Sequence, residues 1–311
     1  MRTITRLMLC VAAVGAAAAC DRKSSGVAAD SASGAPAPAG EGPSASAGGG
    51  TGWIAEAGPV LVLPTVDGGL TSGSLLRADA TDSSVADTSG LGAALGDGQV
   101  ELFARSGPLG PARLTVELPR AEPGCSAWPV ARLVPGSGSP APWTAAFLAG
   151  RIEAIALDSI EGIPARDSSR LAVELTRLAS GLRDDTVATF RGLPFVVLRA
   201  WRSKGLDTGF VVATLARRVN QEDSPREERL VLVVDQVGTD ARQWTVSWHE
   251  RASGSEDELV VAEPLLAYRV RGRRDVHLLF GRDDGVALSA AVLTRVIGAW
   301  TVQWESAIPS C

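Results

Sequence analysis

Lysine, asparagine and histidine are almost missing from this 311-residue chain: Lys23 and Lys204, Asn220, and His249 and His277 are all it has. Neither lysine lies three residues after a serine, and no G-x-S-x-G turn occurs, which removes the common serine-nucleophile arrangements. Two histidines with no H-E-x-x-H pairing and no neighbouring cysteine do not have metal-ligand spacing, so neither metal nor cofactor is expected. Positive charge is short as well, with 30 Lys and Arg against 35 Asp and Glu and a net charge of −5. Such a chain cannot neutralise a phosphate backbone, which excludes nucleic acid as a natural partner. The basic residues that remain are nearly all arginine, a bias of GC-rich bacterial coding rather than of chemistry.

With 45% hydrophobic and 21% charged residues, the chain can still bury a core. Its organising feature is Trp244-Thr-Val-Ser-Trp248, repeated as Trp300-Thr-Val-Gln-Trp304. Each copy follows an apolar run and a turn, so each reads as the last strand of a hairpin unit. In a regular strand alternate side chains share a face, and Trp244 would point with Trp248, and Trp300 with Trp304. Trp143-Thr-Ala-Ala-Phe147, with Val130–Val134 as its preceding strand, is a fainter third copy.

The remaining pattern is that of a mainly β (α+β) protein built from antiparallel meanders. Residues 52–166 form an N-terminal β region, with a short apolar strand at Val60–Leu63 and a long Gly- and Ser-rich surface loop over 65–98. A hairpin follows, from Gln99–Ala104 and Ala112–Leu118, and then a strand over Arg151–Leu157. One helix is expected over Asp167–Leu182, where Leu171, Leu175, Leu178 and Leu182 recur at helical spacing behind a capping Asp or Ser. From 186 to 311 two four-strand sets follow in series. The first runs Leu193–Trp201, Gly209–Ala216, Arg229–Val237 and Gln243–Glu250. The second runs Pro264–Val270, Val276–Gly281, Val286–Leu293 and Trp300–Glu305. A sheet or sandwich is the simplest assembly of these; propeller-like blades are the alternative.

Sites of chemistry are few. Trp244, Trp248, Trp300 and Trp304 offer a platform on which a sugar or peptide could stack. Leaving one indole exposed forgoes burial of about 150–250 Å², about 4–6 kcal/mol, so core contacts are the simpler expectation. Arg269, Arg271, Arg273 and Arg274 form the densest basic cluster, an anion patch or else a solvated strand end. Asp158, Glu161 and Asp167 could furnish a carboxylate pair for hydrolysis of an envelope polymer, though helix entries and turns favour acids anyway. Gly90-Leu-Gly92-Ala-Ala-Leu-Gly96 misplaces the third glycine of a dinucleotide loop, and Asp283-Asp-Gly285 lacks the alternating acids of a calcium loop.

The N-terminus carries Arg2 and Arg6, then the 13-residue apolar run Leu7–Ala19, then Cys20. About 20 apolar residues are needed to span a bilayer, so this run fits a secretory signal better than a membrane helix. Ala17-Ala-Ala-Cys20 resembles the lipobox of bacterial lipoproteins, although Ala17 stands where that family usually has a larger apolar residue. Ala17-Ala-Ala19 equally satisfies an ordinary signal cleavage site. The resemblance implies cleavage after residue 19, a lipid on Cys20, and a chain anchored at a membrane of the cell envelope. Lipidation would also leave Cys125 and Cys311 as an even pair for a disulfide, where a free Cys20 would leave an odd thiol. Residues 20–51, rich in Ser, Ala, Gly and Pro, are expected to be a disordered tether. The function read from this is a non-catalytic binding or structural module acting on an envelope protein, glycan or lipid.

Overall fold

The structure is a computed structural model that describes residues 52–65, 69–81, 84, 87–117, 129–136, 141–182, 188–219, 225–238, 243–255, 259–283 and 288–307. All four cysteines, and with them the expected lipid site at Cys20 and the Cys125–Cys311 pair, lie outside these residues. So does the stretch from Met1 to Thr51, and the Asp284-Gly285 turn.

The chain is mainly β and antiparallel throughout. Its first strands are β1 (Val60–Pro64), β2 (Ser72–Arg77), β3 (Gln99–Ala104), β4 (Gly107–Glu117), β5 (Val130–Pro135) and β6 (Ala145–Leu148). They close into a barrel in the order β1-β2-β5-β4-β3-β6. Two short strands, β7 (Ile152–Ile155) and β8 (Leu157–Ser159), lead to helix α2 (Ala165–Ser180), α1 being the single turn Leu91–Leu95. The rest is two meanders: β9 (Val196–Ser203), β10 (Phe210–Val219), β11 (Arg226–Gln236) and β12 (Trp244–Ser255), then β13 (Glu263–Val270), β14 (His277–Asp283), β15 (Leu288–Val296) and β16 (Ala299–Glu305). Each meander gains a fifth strand from before the helix: β8 pairs with β9 in sheet I, and β7 with β13 in sheet II. Pairing therefore runs across the helix.

Four apolar interiors hold the layers together. Leu171, Leu175 and Ala179 of α2 pack on one face of sheet I, against Val211, Ala213, Leu230 and Leu232. The other face of sheet I meets sheet II through Phe210, Val212, Val231, Leu278, Phe280 and Leu293. The far face of sheet II, with Leu266, Tyr268 and Leu279, lies on the barrel wall at Leu61, Leu63, Phe103 and Phe147. The fourth interior fills the barrel, where Val60, Val62, Leu75, Val100 and Leu114 meet Leu91 and Leu95 of α1. In β1, successive residues thus alternate between two dry interiors, which is why it reads as an unbroken apolar run. A stack of sheets on a barrel is not a ring of blades, so the propeller alternative is excluded.

The repeated motif is real, but the shared face is not. In β12 the register slips so that Val233 faces Trp248 while Val234 faces Val246, leaving Ser247 as an extra residue. In β16 the slip falls at the same place: Val292 faces Trp304, Leu293 faces Val302, and Gln303 is extra. A bulge turns the strand by one residue, so the two tryptophans of each copy point to opposite faces. Trp244 packs under α2, Trp248 and Trp300 lie between the sheets, and Trp304 packs on the barrel. Ser247 Oγ donates to the Val233 carbonyl at 3.2 Å, holding the first bulge.

Two further expectations fail for one reason. The 65–98 stretch is not all surface loop, because it contains β2, a barrel stave. Trp143 and Val130–Val134 do not form a third hairpin, because β6 pairs with β1 and β3 while β5 pairs with β2 and β4. Trp143 instead fills the barrel, its Nε1 donating to the Leu70 carbonyl at 3.0 Å. A Cβ on Gly73 would sit 2.8 Å from that indole and 2.3 Å from the Leu63 carbonyl oxygen. The side chain missing at Gly73 is the space the indole occupies, so a strand carries loop-like composition.

Helix α2 is displaced by two residues from its expected span. Pro164 precedes it without a side-chain cap, and Asp167 sits in the first turn where the helix dipole favours an acid.

Trp304 is 3% exposed, and its Nε1 donates to the Ala78 carbonyl at 3.1 Å. Trp304→Ala is expected to cost about 3–5 kcal/mol in urea unfolding, with Trp248→Ala, half-buried, costing clearly less. Equal losses at the two positions would contradict the layered assignment.

Candidate functional site

Each sequence-level candidate has a definite place. Trp244, Trp300 and Trp304 are buried and present no open ring face. Trp300 donates to Asp235 Oδ1 of sheet I at 3.3 Å and packs edge-on to Phe210, so it ties the two sheets together. Trp248 packs against Phe280.

The arginine cluster is divided. Arg269 is on the strand β13 and half-buried, while Arg271, Arg273 and Arg274 are exposed beyond its end. Arg271 lies 4.0 Å from Glu153, and Arg273 donates to Glu56 at 2.7 Å. That bond, together with a backbone hydrogen bond that is the larger cause, holds the Glu56 carboxyl below its usual range.

Asp158, Glu161 and Asp167 are all exposed. Asp158 lies 3.5 Å from Lys204 and Asp167 3.7 Å from Arg170, so both aspartates are engaged with a local partner. His249 is half-buried, opposite Leu232 and on the other face from Trp248. Among the described residues no three His, Cys, Asp or Glu gather as a metal site, and no helix is long and apolar enough to cross a membrane.

His277 is buried in β14 between cross-strand partners Tyr268 and Thr294. Thr294 Oγ1 donates to Gln303 Oε1 and lies 2.8 Å from His277 Nδ1, so Nδ1 carries the proton and donates to the threonine. Nε2 is then a buried acceptor with no hydrogen-bond partner among the described residues. Burial pushes the imidazole down to about 4.

Side chains not singled out from sequence do converge. A groove of about 390 Å³ opens on sheet I, lined by Leu198, Arg199, Trp201, Thr214, Arg229 and the strap Val261–Glu263. Arg199 faces Thr214 across β9 and β10; on β11 Val231 faces Thr214, and Arg229 lies two residues along on the same face, opposite Ala216. Arg199, Thr214 and Arg229 therefore line one face of sheet I from three neighbouring strands. Trp201 forms the inner wall, with Arg105 of the barrel hairpin stacked 5.1 Å from its ring centre. Arg105 Nε also donates to the Pro264 carbonyl at 2.6 Å, and its guanidinium pairs with Glu263. Barrel, strap and sheet are thereby fixed around the opening.

Behind the groove, Glu227 is 1% exposed and accepts from Arg218 Nε at 2.6 Å and Arg229 Nε at 2.5 Å. Burial works against its charge, but the hydrogen bonds from Arg229 and Arg218 outweigh that and hold the carboxyl below its usual range. On the opposite face of the same strand, Glu228 accepts from Arg217 Nε at 2.5 Å and Arg251 Nη1 at 2.9 Å. Arg217 lies over Phe195, 4.6 Å from its ring centre. Adjacent residues in Arg217-Arg218 and Glu227-Glu228 thus make cross-strand pairs on both faces of one hairpin. The sequence signal was an arginine at the apolar parity of a strand, as in Arg229-Leu-Val231-Leu-Val233, but the register needed to use it is not legible there.

Two measurements test these buried groups. The folded-state value of His277 lies below its usual 6.5, so the native state binds fewer protons than the unfolded chain between pH 6.5 and 4. Its contribution is full above pH 6.5 and is lost as pH falls to about 4, up to about 3 kcal/mol. His277→Gln is expected to flatten that part of a stability–pH curve; an unchanged slope would refute it. Glu228→Ala removes the buried carboxylate that accepts from Arg217 and Arg251 and is expected to lose about 3–5 kcal/mol by urea unfolding, far more than Glu174→Ala, whose partner Arg177 is exposed.

No family model, no curated protein and no solved structure matches this chain.

Proposed function

We propose that the chain is an envelope-anchored bacterial lipoprotein whose β body is a non-catalytic binding module, with the groove beside Trp201 as its binding face. The observation that carries the anchor is the order of the chain. The apolar run Leu7–Ala19 ends on small residues at Cys20, a tether composition follows, and folded structure is described from Gly52 onward. Acylation of an exported chain at this position provides stable attachment, since more than one acyl chain resists dissociation where one does not. The groove supports a binding role because it is concave and mixed in character, within the size range of small-ligand sites. Arg105 and Arg229 are held in place at the groove by hydrogen bonds, ion pairing and stacking.

Intact-mass measurement of the protein from native membranes is expected to show an N-terminus at Cys20 carrying acyl mass. Cys20→Ser is expected to move the protein from the detergent phase to the aqueous phase. A mature chain that begins at an unmodified Cys20 would end the anchor reading, and one that retains Met1 would end export as well. Alkylation without reduction is expected to leave Cys125 and Cys311 unlabelled.

A further inference from the structure

We infer that the groove beside Trp201 is a binding site for a small organic oxyanion, a carboxylate or phosphate carried on an apolar body. This deepens the binding role proposed above and rests on it only in part, because the groove's chemistry does not depend on Cys20. Three observations point the same way. The first is that Arg199, Thr214 and Arg229, from three neighbouring strands, line one groove on the same face of sheet I. Planar guanidinium forks match the paired oxygens of a carboxylate or phosphate.

The second is that the acids nearby do not consume these donors. Glu227 holds Arg229 by Nε, on one edge of its guanidinium, and no other ion pair of Arg229 occurs among the described residues. Glu263 is engaged by Arg105, and Arg199 stands 3.6 Å from it with its side chain 68% exposed. Arg105, Arg199 and Arg229 thus meet Glu227 and Glu263, three guanidinium groups to two carboxylates.

The third is the apolar wall of Leu198, Trp201 and Val261 in the same groove. Leu198 reaches the rim because β9 bulges there: Thr214 faces Arg199 while Leu215 faces Val197, leaving Leu198 as the extra residue. An anion without an apolar part would leave this wall wet, and an apolar molecule without an anion would leave the arginine edges without a partner. Glu227 acts as a positioning residue, fixing Arg229 by its Nε.

The test is calorimetric titration of the full-length exported protein in its Cys20→Ser form, so that no acyl chain competes. The probes are benzoate, phenyl phosphate, benzyl alcohol, benzylamine and inorganic phosphate at low ionic strength. Benzoate or phenyl phosphate is expected to bind saturably, with benzyl alcohol and benzylamine weaker by about tenfold or more. Tighter benzoate assigns a carboxylate, and tighter phenyl phosphate a phosphate ester. Arg199→Gln is expected to weaken the preferred anion about tenfold and Thr214→Val a few-fold, with affinity falling as salt rises. Both positions leave Glu227 and its partners intact, so these variants remain informative where Arg229→Gln does not fold. The assignment is overturned if neither aromatic anion saturates, or if inorganic phosphate binds as well as phenyl phosphate. Binding of benzylamine equal to benzoate, or unchanged affinity in both variants, also overturns it. None of these outcomes bears on acylation, so a failed anchor and a failed groove remain separate results.

Discussion

The whole architecture follows from one constraint: neither meander has a face that can be left in water. Sheet I buries Val211, Ala213 and Leu215 on one side and Phe210 and Val212 on the other. Sheet II does the same with Leu279 and Leu278. A sheet apolar on both sides needs a cover on both sides, and two such sheets stacked still present one bare face at each end. Helix α2 closes one end and the barrel wall closes the other. The sense of the stack follows from the bulges. The first tryptophan of each copy points towards α2 and the second towards the barrel, so the two meanders are stacked facing the same way rather than face to face. As in a solenoid, repeats stacked in one sense cannot close on each other and depend on end caps of a different kind.

Much of this was legible one strand at a time. All eight strands of the two meanders and the Leu-faced helix follow from periodicity, because alternation and a 3.6-residue repeat are local properties. The layer assignment was not, since strands buried on both faces lose the alternation that would mark an inside and an outside. The bulges at Ser247 and Gln303 were hidden for a related reason: an inserted residue keeps the motif's spelling while reversing the side chain at its end. β2 was missed because Gly73 and its serines look like loop, and only the indole of Trp143, seventy positions on, explains them. The groove depended on register between β9, β10 and β11, which no single strand encodes.

Charge is concentrated where the hydrophobic stack gives out. In the β10–β11 hairpin of sheet I, cross-strand pairing brings Arg217 to Glu228 and Arg218 to Glu227, so one hairpin carries ion pairs on both faces. Such pairs add little net stability over apolar side chains, but a hairpin with charges at fixed positions cannot slip in register without separating them. The same pairs aim Arg229 at the groove, so specificity of pairing and the character of the opening share one set of residues.

One stretch of backbone ends up in two places. β7 and β8 are separated only by Ala156, yet the first completes sheet II and the second sheet I. A single thread is therefore sewn through both seams, and neither sheet can peel from the stack without pulling on the border of its neighbour. The two repeats, which look like independent modules along the chain, are bound to melt together.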